Sequence, residues 1–181
     1  MVTSVQEMQW VLRAQCKDRA ALEALLRGLQ PSLRRYLTGL AGTTDVDDLL
    51  QDVLVVLARR IESLDDPKLF RPWSFRIASR EAFRHLRKRR LLEDRRDDTA
   101  QLDEVPTPDV RPSGELLGEL LAGGTISPAS RAVLILHFQE ELSLAEIAAI
   151  LDIPLGTVKS RLAYGLNSIR RHLKAPGGPH E

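Results

Sequence analysis

Five cations at helical spacing carry the first chemical signal. Arg76, Arg80, Arg84 and Arg87 recur at three and four residues, so a helix would gather them on one side, with Lys88 directly after. Guanidinium groups one turn apart suit a run of phosphates. A second set lies near the C-terminal end and comprises Thr157, Lys159, Ser160, Arg161, Ala163, Tyr164 and Asn167. Small and hydrogen-bonding groups on one helix face, flanked by cations, fit base edges in a major groove with phosphates on either side. The third set is acidic. Asp48, Gln51 and Asp52 share an outward strip with Val55, and an apolar side chain among carboxylates suits a protein interface, while a solvated face with an incidental valine has the same pattern.

Catalysis finds no support in the residues. There is no nucleophile-base pair, glycine-rich phosphate loop or ligand cluster among the motifs. Asp47 and Asp48 are adjacent, and neighbours on a helix point about 100° apart, so they do not converge on one ion. The single Cys16 cannot close an internal disulfide, and the four histidines are scattered, so neither zinc nor any other cofactor is expected. The chain reads as a binding protein and not as an enzyme.

The elements that must position these groups are helical throughout. Leu22, Leu25, Leu26 and Leu29 repeat at three and four residues, as do Val46, Leu49, Leu50, Val53, Leu54 and Leu57, and no segment alternates like a strand. Breaks at Gln30-Pro31, Gly39 to Thr44 and Asp65-Asp66-Pro67 predict four helices between Val5 and Arg90. In the third, Val46, Leu50, Val53 and Leu57 turn inward. In the fourth, Trp73 and Phe75 fit a core better than a base platform.

Ser143-Leu144-Ala145-Glu146 is a capping box, so a helix starts there, burying Leu144, Ile147, Ala148 and Leu151. A turn through Asp152-Ile153-Pro154 leads into a second helix near Leu155, with Val158, Leu162, Ile169 and Leu173 inward. Arg170, Arg171 and Lys174 add charge at its end, where the helix dipole favours cations. Gly165 weakens this helix by about 1 kcal/mol relative to alanine. An ordinary helical hairpin has the same outline as a helix-turn-helix.

Net charge is only +1, but it is segregated. Arg71 to Arg90 holds eight Arg or Lys and one acid, whereas Glu93 to Asp109 holds seven acids and two arginines. The segment from Leu91 to Gly124 also carries Pro106, Pro108 and Pro112, a composition that favours an extended linker, with Leu116, Leu117, Leu120 and Leu121 able to add a turn or two of helix. The expected organisation is a helical domain over residues 5–90, an acidic linker over 91–125, a helix-turn-helix domain over 126–174 and a flexible tail over 175–181. The fold class is therefore all-α, with two small helical domains joined by a Pro-containing linker. Met1 to Trp10 lacks a basic leader and an apolar core, and no apolar run is long enough for a bilayer, so a cytoplasmic location without membrane insertion is expected.

Glu146-Ile147-Ala148 followed by Pro154-Leu155-Gly156-Thr157-Val158-Lys159-Ser160-Arg161-Leu162 closely resembles the DNA-binding domain of sigma factors of the extracytoplasmic-function (ECF) group, within the sigma-seventy family. Two further stretches agree in the same order. Asp47-Asp48-Leu49-Leu50-Gln51-Asp52-Val53 resembles the family's polymerase-binding helix, and Phe70-Arg71-Pro72-Trp73-Ser74-Phe75-Arg76-Ile77-Ala78 resembles the helix that opens and holds the minus-ten promoter element. The resemblance spans Trp10 to Arg90 and Ser127 to Leu173. It implies a promoter-recognition subunit whose partners are core RNA polymerase and promoter DNA, and it makes an inhibitory anti-sigma factor a plausible third.

Residue by residue, the resemblance implies that Asp48, Gln51, Asp52 and Val55 dock on a coiled coil of the largest polymerase subunit. Arg76, Arg80, Arg84, Arg87 and Lys88 would hold the minus-ten element, with Ser63 to Lys68 near the non-template strand. Thr157, Lys159, Ser160, Arg161, Ala163, Tyr164 and Asn167 would read the minus-thirty-five element. The linker would set the reach between two weak DNA sites and repel free DNA. The sequence also departs from the family. Ser79-Arg80 stands where an Arg-Asn pair is usual, Pro72 sits in the first turn, and Ala163-Tyr164-Gly165 replaces a more basic stretch. Two other readings remain. A response-type regulator with a similar C-terminal module would need an α/β receiver that the helical first half does not suggest, and a helical adaptor would bind polymerase without DNA.

Overall fold

A computed structural model of the chain describes residues 4–93 and 126–174, which divide between two compact units split at Arg87 and Lys88. The expected acidic linker beyond Glu93, its leucine cluster and the tail lie outside the described residues. Within these, every regular element is a helix.

From the N-terminal side α1 (Ser4–Gln15), α2 (Arg19–Ala41), α3 (Val46–Arg60) and α4 (Phe70–Glu93) follow one another, with single 3-10 turns at Ile61–Ser63 and Pro67–Leu69, and the first unit takes in all of these up to Arg87 of α4. Four α-helices were expected, but the first break falls elsewhere. Lys17 has a positive φ of 66°, and Asp18 caps α2 by accepting from the amides of Ala20 (3.0 Å) and Ala21 (3.1 Å). Those bonds, with the guanidinium of Arg13 at 2.6 Å, hold the Asp18 carboxyl below the usual carboxylate range. Pro31, read as a break, lies inside α2. An interior proline removes one backbone hydrogen bond and costs about 3 kcal/mol. Burial of Leu25, Leu29, Leu33, Tyr36, Leu37 and Leu40 along one face outweighs it.

Past Ala41 the chain must reverse, and Gly42 does so at φ 87° while its amide bonds to the carbonyl of Thr38 at 2.9 Å. α3 then buries Val46, Leu49, Leu50, Val53 and Leu57, the expected inward set with Leu49 added. The Gln15 amide donates to the carbonyls of Ile61 (3.1 Å) and Leu64 (2.7 Å), tying α1 to the turn after α3. α4 starts at Phe70, so Pro72 falls in the first turn, where a missing amide hydrogen has no helical partner to lose. The helix runs on through Leu91 to Glu93.

The second unit has α5 (Pro128–Phe138), α6 (Leu144–Leu151) and α7 (Leu155–Lys174). Ser127 caps α5, whose residues Ala132, Val133, Leu134, Ile135 and Leu136 are all buried, which makes it the central helix of the unit. The capping box forms as read: the Glu146 amide donates to Ser143 Oγ (3.3 Å) and the Ser143 amide to Glu146 Oε2 (2.8 Å). Asp152 turns the chain in the left-handed conformation, φ 56°, and α7 follows. Ile147 and Ile150 anchor α6, while Leu144, Ala148 and Leu151, all expected inside, are half-buried because eight residues give only two full turns of contact.

Gly165 has a packing reason. A Cβ there would stand 2.7 Å from Cδ1 and 3.2 Å from Cγ of the buried Leu134, so alanine requires that side chain to shift within the α5–α7 contact. Gly28, exposed inside α2, has open space around it. Gly28→Ala is expected to stabilise the chain by about 0.5–1 kcal/mol. Gly165→Ala should instead destabilise it, since overpacking of about 1–3 kcal/mol exceeds the propensity gain of about 1. Thermal melts of the two variants moving in the same direction would refute this account.

Candidate nucleic-acid and protein interfaces

α3 divides its charge cleanly. With Leu50, Val53 and Leu57 in the core, Asp48, Gln51, Asp52 and Val55 are all exposed on the other side, Val55 to 40%. Asp47 has different work, because it pairs with Arg34 of α2, and Asp45 lies 3.3 Å from His85 of α4. Asp48 and Asp52 meet no cation among the described residues. The strip is thus an acidic surface with one apolar member, left over after the structural acids are paired.

α4 presents Arg76, Arg80, Arg84, Arg87 and Lys88 to solvent, as the spacing requires. Arg84 pairs with Glu81 one turn back. The opposite face is fixed in the core: Phe75 meets Tyr36 edge to face at 5.4 Å and 86°, and Ser79 Oγ lies 2.6 Å from the Tyr36 hydroxyl. Burial pushes the Tyr36 phenol well above its ordinary range, so it stays a neutral hydrogen-bonding group. Phe75 is a core residue, whereas Trp73 is half-buried, tilted 34° to Phe70 at 6.4 Å. Ser79 thus faces Tyr36 and not solvent.

The segment from Ser63 to Lys68 is held from both ends. Leu64 is buried, Ser63 Oγ donates to the Arg60 carbonyl at 2.7 Å, and the Asp66 carboxylate accepts from the Lys68 amide at 2.9 Å. The sequence reading leaves Arg59 and Arg60 unassigned. In the structure they share a groove with Arg80 and Arg84. Their signal in the sequence is only two cations in a helix's last turn, which has a common electrostatic cause.

In the second unit the first half of α7 is accessible in part. Lys159 and Ser160 are exposed, and Thr157, Arg161, Ala163 and Tyr164 are half-buried. Ser160 Oγ donates to the Thr157 carbonyl at 3.0 Å. Asn167 corrects the sequence reading. It is fully buried, not on an open face, and accepts from Arg170 Nη1 at 3.4 Å. A helical wheel assigns it to the outer face, but residues 165–170 are buried in succession, so this stretch has no outer face. Arg170, expected at the surface, is likewise buried, and desolvation lowers its pKa. Leu173, expected inside, is 42% exposed near the helix end. Val158 and Ile169 are buried as expected, with Leu162 half-buried.

The helix-turn-helix and the paired strips of the first unit match two descriptions of one family. The family model "Sigma-70 region 2" matches residues 25–91, and "Sigma-70, region 4" matches residues 124–171. The ECF RNA polymerase sigma-E factor of Haemophilus influenzae is 31% identical over 176 residues, covering 90% of this chain and 92% of the relative. The chain belongs to the ECF sigma factors. Its likeness to the RNA polymerase sigma-E factor of Streptomyces coelicolor is 32% over 160 residues, 87% of this sigma factor and 84% of that one. The solved structure of CnrH in complex with the cytosolic domain of CnrY aligns with a TM-score of 0.65 at 22% identity, covering 94% of this chain and 98% of CnrH. RpoE of Bartonella quintana, solved with the anti-sigma factor NepR, gives 0.66 at 23%, covering 85% and 97%. A sigma factor directs transcription initiation by RNA polymerase. Among the described residues no helix is long and apolar enough to cross a membrane.

Proposed function

We propose that this ECF sigma factor initiates transcription by bivalent promoter contact. The α3 strip of Asp48, Gln51, Asp52 and Val55 docks on core polymerase, the α4 stripe of Arg76, Arg80, Arg84, Arg87 and Lys88 holds the minus-ten element, and the start of α7 reads the minus-thirty-five element. The observation that supports this division is the exposure of an acidic-apolar strip and a cationic stripe on two helices of one unit, with a helix-turn-helix in the other. Two weak DNA contacts on one chain raise each other's effective concentration only when promoter spacing lets both engage. The chain supplies binding, and the chemistry of RNA synthesis stays with polymerase. It acts in the cytoplasm, and an anti-sigma factor is a further partner, as NepR is for RpoE of Bartonella quintana.

With Asn167 buried, upstream recognition falls to Thr157, Lys159, Ser160 and Arg161, with the exposed edges of Ala163 and Tyr164. Core polymerase plus this protein, supplied with genomic templates, should start RNA at defined points. Random or absent starts from a folded protein would end the proposal. Lys159→Ala with Arg161→Ala should lower the salt slope of upstream-element binding by about 2 and leave polymerase assembly intact. An unchanged slope would remove these residues from the phosphate contacts.

A further inference from the structure

Between the end of α3 and the middle of α4 lies an open groove of about 310 Å³. Val56 and Ile77 supply its apolar surface, and its charged lining is Arg59 and Arg60 from α3 with Arg80, Glu81 and Arg84 from α4. All four arginines are exposed, and the one carboxylate already pairs with Arg84. We infer that this groove is a phosphate-binding site for the promoter DNA backbone, with Arg59 and Arg60 forming a second cationic wall opposite the α4 stripe. The inference rests on the proposed function and adds two contact residues from a helix that the polymerase strip occupies on another face.

A cation in the last turn of a helix is favoured by the dipole alone, so the presence of Arg59 and Arg60 has a bland explanation. Their convergence with Arg80 and Arg84 on one concavity does not follow from that effect, because four like charges in one groove repel one another. A polyanion relieves that repulsion. Glu81 pairs with Arg84, whereas a nucleic-acid strand brings a charge about every 3.4 Å of axis. From Arg76 to Arg87 the stripe climbs roughly 16 Å at 1.5 Å per residue, long enough to meet more than one phosphate of a strand. Arg80 and Arg84 belong to both the stripe and the groove, so a strand following α4 passes the groove's mouth.

The test uses holoenzyme reconstituted from core polymerase and the full chain, binding forked promoter DNA at salt from about 50 to 200 mM. Arg59→Gln with Arg60→Gln should flatten the slope of log affinity against log salt by about 1.4–1.8, at 0.7–0.9 per lost phosphate contact. Arg59→Lys with Arg60→Lys, which keeps both charges, should retain most of the slope, and if the glutamine pair melts early the single Arg60→Gln, expected to flatten it by about 0.7–0.9, carries the test. An unchanged slope in the glutamine pair, beside a flattened one in Arg76→Gln with Arg80→Gln, overturns the groove and leaves the minus-ten reading standing. If neither pair alters the slope, both fall. Thermal protection of the free protein by inorganic tripolyphosphate, lost in the glutamine pair while promoter binding is unaffected, would overturn the inference in favour of a small-anion site.

Discussion

Asp48→Lys combined with Asp52→Lys is expected to weaken assembly with core polymerase at least ~100-fold, equivalent to about 2.7 kcal/mol, while upstream DNA binding by the second unit persists. The two carboxylates are exposed, one turn apart, and meet no cation within the described chain, so their charge is available to a partner. Reversing both signs replaces attraction by repulsion at an interface, where like charges brought together cost several kcal/mol. The helix itself loses less. Asp48 lies in the first turn of α3, where a carboxylate is worth about 0.3–1 kcal/mol against the dipole, so a small drop in melting temperature accompanies the change. Asp47→Lys is the informative control. Because Asp47 pairs with Arg34, its reversal should shift stability more than polymerase affinity. Native affinity in the Asp48/Asp52 double variant, measured by gel filtration with core enzyme, would take the strip out of the interface.

What the sequence disclosed depended on whether one face of a helix decides the matter. The α3 strip and the α4 stripe were readable because each helix has a single packed side, and a 3.6-residue period then assigns every position. The capping box at Ser143 was readable because both of its bonds lie within four residues. Asn167 and Arg170 were not, since a wheel assumes that the side away from the core is free, and burial of residues 165–170 in succession breaks that assumption. Gly165 could be read only as a weak point until Leu134 appeared beside it. Pro31 misled for a related reason: local propensity marks a break, and tertiary burial on α2 overrides it. The groove holding Arg59 and Arg60 required two helices to be placed side by side, which no local pattern provides.

Ser79→Arg is expected to unfold the first unit. Ser79 is 2% exposed, its hydroxyl donates to the Phe75 carbonyl at 2.7 Å, and the fully buried Tyr36 phenol then donates to it at 2.6 Å. An arginine there overpacks a closed site, at about 1–3 kcal/mol. It also strands a guanidinium without a counter-charge, which costs several kcal/mol more, and leaves the Tyr36 hydroxyl unpaired for a further ~1–3. Against a typical total stability of about 5–15 kcal/mol, that sum removes most of the margin. Arg80→Asn, at the next position, changes an exposed side chain and should leave the melt nearly unmoved. The contrast matters for function, because Ser79 belongs to the buried face of α4, with Phe75, Ala78 and Ala82, that leaves Arg76, Arg80 and Arg84 outward. A native melting curve for Ser79→Arg would mean that α4 can rotate or relax at this point, and that the direction of the cationic stripe is set elsewhere.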